Sequence, residues 1–66
     1  MLINNLRNAR RSKGLLQEDC AELLGIKTRK YSYIESAKPE RISYATLLTL
    51  SKTLDVPVTT LVVETN

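Results

Sequence analysis

The sequence predicts an all-α chain, a compact bundle of five short helices with possible short β-strands at its ends. Three observations carry that reading. The chain has 66 residues, which is enough for a single domain spanning 1–66. Its apolar residues recur at helical spacing along most of its length. Its two glycines and two prolines, Gly14, Gly25, Pro39 and Pro57, fall where one apolar pattern stops and the next begins. There is no internal repeat, low-complexity tract or linker.

The first helix is predicted over Asn4 to Lys13, with Leu2, Leu6 and Ala9 on one face and Gly14 placed to end it. Its basic last turn, Arg10 to Lys13, suits the negative end of the helix dipole. The second runs from Gln17 to Leu24. Leu16, Cys20, Leu23 and Leu24 form its apolar stripe, Glu18 and Asp19 lie in its first turn, and Gly25 ends it. The third runs from Thr28 to Ser36, with Tyr31 and Ile34 facing inward. Ala37 to Ile42 is a loop, because Pro39 breaks helix and biases Lys38 away from it. The fourth helix starts after Ser43, a good N-cap, and reaches Leu54. Leu47, Leu50 and Leu54 form one row, flanked by Tyr44 and Leu48. Pro57 is compatible with the first turn of a short fifth helix through Thr59, Leu61 and Val62. The β-branched end, LVVET, reads equally as a strand that pairs with Met1 to Ile3.

Composition bounds the chemistry. A domain this small buries only about 60% of its unfolded surface and is marginally stable. Cys20 is the only cysteine, so no disulfide can help, and a lone thiol fits a reducing compartment. The absence of histidine removes the commonest general base and metal ligand. No metal site, cofactor or enzymatic activity is expected. The net charge of +3 favours phosphate-bearing partners. No apolar run approaches the roughly 18 residues of a membrane span. The start, MLINNLRNARR, lacks the order of a secretory signal. A soluble, cytoplasmic protein is the expectation.

The informative stretch is Gln17 to Glu35, QEDCAELLGIKTRKYSYIE. Two helices crossing steeply across a tight turn need a small residue at the crossing, here Ala21. They need a residue at the corner that tolerates positive φ, here Gly25. Ile26 plugs the turn, while Tyr31 and Ile34 hold the second helix down. Lys27, Thr28, Arg29, Lys30, Ser32 and Tyr33 then face outward. A narrow polar and basic helix of this kind fits the DNA major groove, which is about 12 Å wide.

From Asn4 to Leu61 the chain resembles the Cro/cI-repressor type of helix-turn-helix, the XRE family. The resemblance is carried by Leu6-Arg7, Arg10, Gly14-Leu15, Gln17-Glu18, Ala21, Leu24-Gly25-Ile26, Ser32, Ile34-Glu35, and later Leu47, Leu50, Leu54 and Val56, all in register. It implies a lambda-repressor-like bundle and a dimer that regulates transcription from duplex DNA. By the same resemblance Gln17 anchors on a phosphate, and Lys27, Thr28, Arg29 and Tyr33 reach base edges. Lys30 and Ser32 flank them on phosphate or base, and Lys38 and Arg41 lie in a phosphate-contacting loop. Arg10 and Glu35 match a partly buried ion pair between the first helix and the end of the recognition helix.

Side-chain chemistry agrees with these roles. Arginine can bridge O6 and N7 of guanine, which makes Arg29 the candidate reader of a G; Thr28 can meet a thymine methyl. Plainer readings stand beside them. Tyr33 could be ordinary surface. Tyr31 and Cys20 read as core rather than as a DNA contact and a redox sensor. Leu61, Val62 and Val63 could form a dimer contact or close the monomer's own core. An interaction module such as an antitoxin, acting on a protein partner, is the alternative to a transcriptional repressor. The chain also departs from the family pattern. Leu16 and Lys27 stand where capping residues are usual, and Ala37 and Asp55 replace glycines at helix ends. Each departure is expected to cost about 1 kcal/mol, or else these positions adopt a different local geometry.

Overall fold

The structure, a computed structural model, describes residues 1–65. Among them the chain forms β1 (Leu2–Asn4), α1 (Leu6–Ser12), α2 (Gln17–Leu24), α3 (Thr28–Ser36), a 3-10 turn (Pro39–Arg41), α4 (Tyr44–Leu54), α5 (Val58–Leu61) and β2 (Val62–Glu64). The fold is a five-helix bundle whose two chain ends meet in a two-stranded antiparallel sheet, with Leu2 opposite Glu64, Ile3 opposite Val63 and Asn4 opposite Val62.

The sheet settles both uncertain ends. The C-terminal segment is helix only to Leu61 and strand beyond it. Helix α1 begins at Leu6 rather than at Asn4 because the preceding backbone is committed to the sheet. Asn5 N–H donates to the Leu61 carbonyl at 2.8 Å. The Asn4 side-chain oxygen accepts the Leu6 N–H at 3.0 Å, supplying one of the helix's missing N-terminal partners.

Three helices end in the same way. After α1, α2 and α4, one residue in left-handed geometry lets the next amide reach back to the last turn. Gly25 (φ 69°) donates to Glu22 and Ile26 donates to Ala21 at 2.9 Å. Gly14 and Leu15 repeat the pattern on α1, and Asp55 and Val56 on α4. These are paired Schellman bonds. Asp55 (φ 55°) is the one non-glycine among the described residues to hold positive φ. Helix α3 ends differently, which corrects the expectation for Ala37. That residue is extended (φ −73°, ψ 152°), so it carries no left-handed strain. Lys38 is extended as well, as a residue preceding proline prefers.

The core draws on every helix: Leu6 and Ala9 of α1, Cys20 and Ala21 of α2, Tyr31 of α3, Leu50 and Leu54 of α4, and Leu61 of α5. Leu15, Leu24, Ile26, Ile34, Leu47 and Val56 pack against it half-buried. Leu16 and Leu23 were expected on the apolar stripe of α2 but are about three-fifths exposed. Leu16 precedes the helix, and the inward row follows Cys20 to Leu24 at i and i+4 spacing, which turns Leu23 aside. Tyr44 and Leu48 are likewise exposed beside the inward row of α4. No helix among the described residues is long and apolar enough to cross a membrane.

Candidate nucleic-acid interface

Helices α2 and α3 form the most closely packed helix pair of the fold. Ala21 is buried at their crossing, and Gly25 turns the chain between them. Helix α3 is anchored by Tyr31 and Glu35, both buried and four residues apart, with Ile34 half-buried beside them. At 100° per residue, Arg29 and Tyr33 then lie on the opposite side of the helix, roughly 160° and 200° round from Tyr31. Lys27, Thr28, Arg29, Lys30, Ser32 and Tyr33 are all exposed. Among the described residues, none of Lys27, Arg29, Lys30, Lys38 and Arg41 makes an ion pair. Their charges are therefore uncompensated on the surface that α3 presents.

Neither helix carries a side-chain cap at its start. Leu16 and Lys27 both have the extended backbone of an N-cap but no side-chain acceptor in place. Helix α2 has half of a capping box: Asp19 accepts the Leu16 N–H at 2.7 Å, and a leucine side chain cannot return the bond.

Behind α3 sits a buried charge network. The Arg10 Nε donates to Glu35 Oε2 at 2.6 Å, and a second guanidinium nitrogen lies 3.4 Å from Oε1. Another Arg10 nitrogen donates to the Leu15 carbonyl at 2.8 Å. Gln17 Nε2 donates to Glu35 Oε1 at 3.1 Å, and Arg7 approaches the same oxygen at 3.4 Å from the exposed side. Burial works to push the Glu35 carboxyl up, but the bonds from Arg10 and Gln17 and the neighbouring Tyr31 outweigh it, so the net shift is downward from 4.5. The Arg10 guanidinium is held more firmly protonated, chiefly by its bond to Glu35. The Cys20 thiol and the Tyr31 hydroxyl are both pushed up, mainly by burial. Tyr31 Oη lies near Glu35 and Cys20 but meets hydrogen-bond geometry with no partner among the described residues.

The candidate site residues therefore fall into groups. Lys27, Thr28 and Arg29 cluster at the N-terminal end of α3. Lys30, Tyr33 and Arg41 line one shallow cleft between α3 and the start of α4, together with Ile42 and Thr46. Lys38 is exposed on the loop before the 3-10 turn. Gln17 is half-buried, and its amide is engaged on Glu35 rather than free. Leu61 is 1% exposed and belongs to the monomer core, which corrects its assignment to a dimer contact; Val62 and Val63 remain half-buried on the sheet. Sequence reasoning missed two residues. Arg7 sits three residues before Arg10 on the same face, a spacing that could have flagged it. Asn4 looks in the sequence like an ordinary helix start, yet its amide bonds to the end of α3.

A helix-turn-helix family model matches residues 6–61. No curated protein and no solved structure matches the chain. The matched span runs from the first residue of α1 to the last of α5 and contains both anchored helices with the turn between them, so the chain belongs to the helix-turn-helix family of the Cro/cI-repressor (XRE) type, a DNA-binding family of transcription regulators.

Proposed function

We propose that the protein is a sequence-specific repressor that binds a near-palindromic operator as a homodimer, with α3 of each copy in the major groove. The observation that carries this reading is the uncompensated row on α3, backed by the buried Tyr31 and Glu35. Arg29 and Tyr33, facing directly away from the core, read base edges, with Lys27 and Thr28 at the leading end of the helix. Lys30, Ser32, Lys38 and Arg41 flank them and hold phosphates. Gln17 contributes from the start of α2, where its side chain answers to Glu35 and its backbone lies at the positive end of a helix dipole.

The free edge of β2 supports the dimer. Met1 and Thr65 exchange both backbone bonds, and Asn5 bonds to Leu61, so the hydrogen-bonded pairs of the ladder fall at Met1, Ile3 and Asn5. By the alternation of an antiparallel ladder, Val62 and Glu64 turn their backbone groups outward. On the other side of the sheet, β1 packs against the 3-10 turn. A second copy can pair β2 with β2 about a two-fold axis at Val63, setting Val62 of each copy opposite Glu64 of the other. Such pairing also covers an edge that would otherwise invite aggregation.

Selection from a random duplex pool, followed by titration at two salt concentrations, tests the whole reading. The expected result is an inverted repeat with half-site centres about 10 bp apart or a multiple of that, with a salt slope that counts the phosphates neutralised. Salt-sensitive binding without a preferred sequence would rule it out.

A further inference from the structure

Asn4 closes β1, opposite Val62. Its side-chain nitrogen lies 3.0 Å from the Ile34 carbonyl, 3.1 Å from that of Glu35 and 2.9 Å from that of Ala37. These are carbonyls at the end of α3, where helical partners run out. The amide orientation follows from its surroundings: the nitrogen meets three acceptors while the oxygen accepts the Leu6 N–H. Turning the amide over would set its oxygen against three carbonyl oxygens. Among the described residues, no other side chain of β1 or β2 bonds to α3.

We propose that Asn4 is a positioning residue that sets operator spacing. Its amide locks the last turn of α3 to the terminal sheet, and so fixes the angle between the recognition helix and the two-fold axis. The inference rests on the dimeric reading above, in which that sheet carries the contact between copies. With the lock in place, the two recognition helices are held at one separation, and an operator whose half-sites are moved apart meets them out of register. Without it, α3 is still anchored by Tyr31 and Glu35 but can swing against the sheet. The penalty for wrong spacing then falls.

The test compares Asn4→Asp and Asn4→Ser with the unaltered protein. Aspartate keeps the oxygen that accepts the Leu6 N–H but replaces the donor with an anion facing three carbonyls. Serine can still accept at the helix start but is too short to reach α3, and it covers the case in which the aspartate variant does not fold. Circular dichroism and sedimentation establish that the variant used is folded and dimeric. Affinity is then measured on the selected operator and on versions with one base pair added or removed between half-sites. The unaltered protein should lose about tenfold or more on the altered spacings, the scale of a typical recognition error. The variant should lose less than about threefold. A folded, dimeric variant that binds every operator more weakly by the same factor would reduce Asn4 to a structural role and overturn the inference, leaving the dimeric reading intact. An unaltered protein indifferent to spacing would overturn both.

Discussion

The Nε of Arg10 sits 2.6 Å from Oε2 of Glu35, and the two side chains are only 8% and 0% exposed. This contact joins the end of α1 to the end of α3 through the middle of the domain. Buried pairs seldom add net stability over an apolar replacement, because both charges must be stripped of water. Here the pair recruits a wider set of partners. Arg10 also holds the Leu15 carbonyl at the close of α1, and Glu35 also takes the Gln17 amide at the opening of α2. One carboxylate thus fixes α3 against both preceding helices.

Stability should therefore depend on acid. Glu35 titrates below its ordinary 4.5 in the folded protein, so unfolding takes up a proton in that range. The contribution is fully present above pH 4.5 and disappears as pH falls from there through the depressed value. Cys20 and Tyr31 act in the opposite direction: both are raised above ordinary values of 9.0 and 10.0, so stability should fall again as pH rises past 9. Thermal melts across pH 3 to 10.5 should trace a plateau with losses on both sides. A melting temperature that holds steady from pH 5 down to 3 would contradict the role given to Glu35.

Removing one member of the pair should be worse than removing both. Glu35→Gln leaves the Arg10 charge buried without its carboxylate, a change that typically costs about 3 to 5 kcal/mol. Total stability of a small domain is of the same order, so this variant should be largely unfolded at 37 °C. Arg10→Met combined with Glu35→Leu removes both charges at similar bulk and should recover most of the loss. Urea titration of Arg10→Met alone, Glu35→Leu alone and the double variant closes the cycle. A double variant as unstable as Glu35→Gln would mean that the bonds to Leu15 and Gln17 matter more than charge balance.

The two uncapped helices should respond differently to repair. Leu16 has N-cap geometry and is 60% exposed, so Leu16→Ser sacrifices little burial and supplies the missing acceptor. It should add about 1 kcal/mol, which raises the melting temperature of a domain this size by about 4 to 8 °C, and should leave DNA binding unchanged. Lys27→Ser should stabilise α3 similarly but weaken DNA binding, because the position exchanges a cap for a cation at the reading end of the helix. Equal DNA affinity in the two variants would remove Lys27 from the interface.

The helices and the exposed face of α3 were legible in the sequence because their causes are local. Gly25 after Leu24, Ser43 before Tyr44 and the i, i+4 spacing of Leu50 and Leu54 each act within a turn or two of chain. The ends were harder. Whether Val62 and Val63 continue a helix or form a strand depends on Met1 to Asn4, some sixty residues away, and nothing in LVVET alone decides it. Asn4 was misread for the same reason. In the sequence it reads as the first residue of a helix, and its bonds to Ile34, Glu35 and Ala37 exist only once β1 lies against α3. Ala37 shows the opposite error. A family pattern suggested left-handed strain there, while the chain leaves α3 at Ala37 in extended backbone (φ −73°, ψ 152°).

Arg29 and Arg41 carry the same charge but should fail in different ways. Arg29 points directly away from the buried face of α3. Arg29→Ala should cost about 1 to 3 kcal/mol on the preferred operator and should flatten preference at one position of each half-site, most simply a G. Arg41 lies on the rim of the cleft behind Tyr33. Arg41→Ala should weaken binding to all sequences by a similar factor and lower the slope of log affinity against log salt by about 1 per monomer, since one phosphate contact is lost without loss of base information. Both side chains are exposed, so melting temperatures should stay close to that of the unaltered protein. Titrating each variant against the selected operator and single-base variants at two salt concentrations separates these outcomes. If Arg29→Ala retained every base preference while Arg41→Ala relaxed one, the roles of the two arginines would have to be exchanged, and the groove would be read from the loop side of α3.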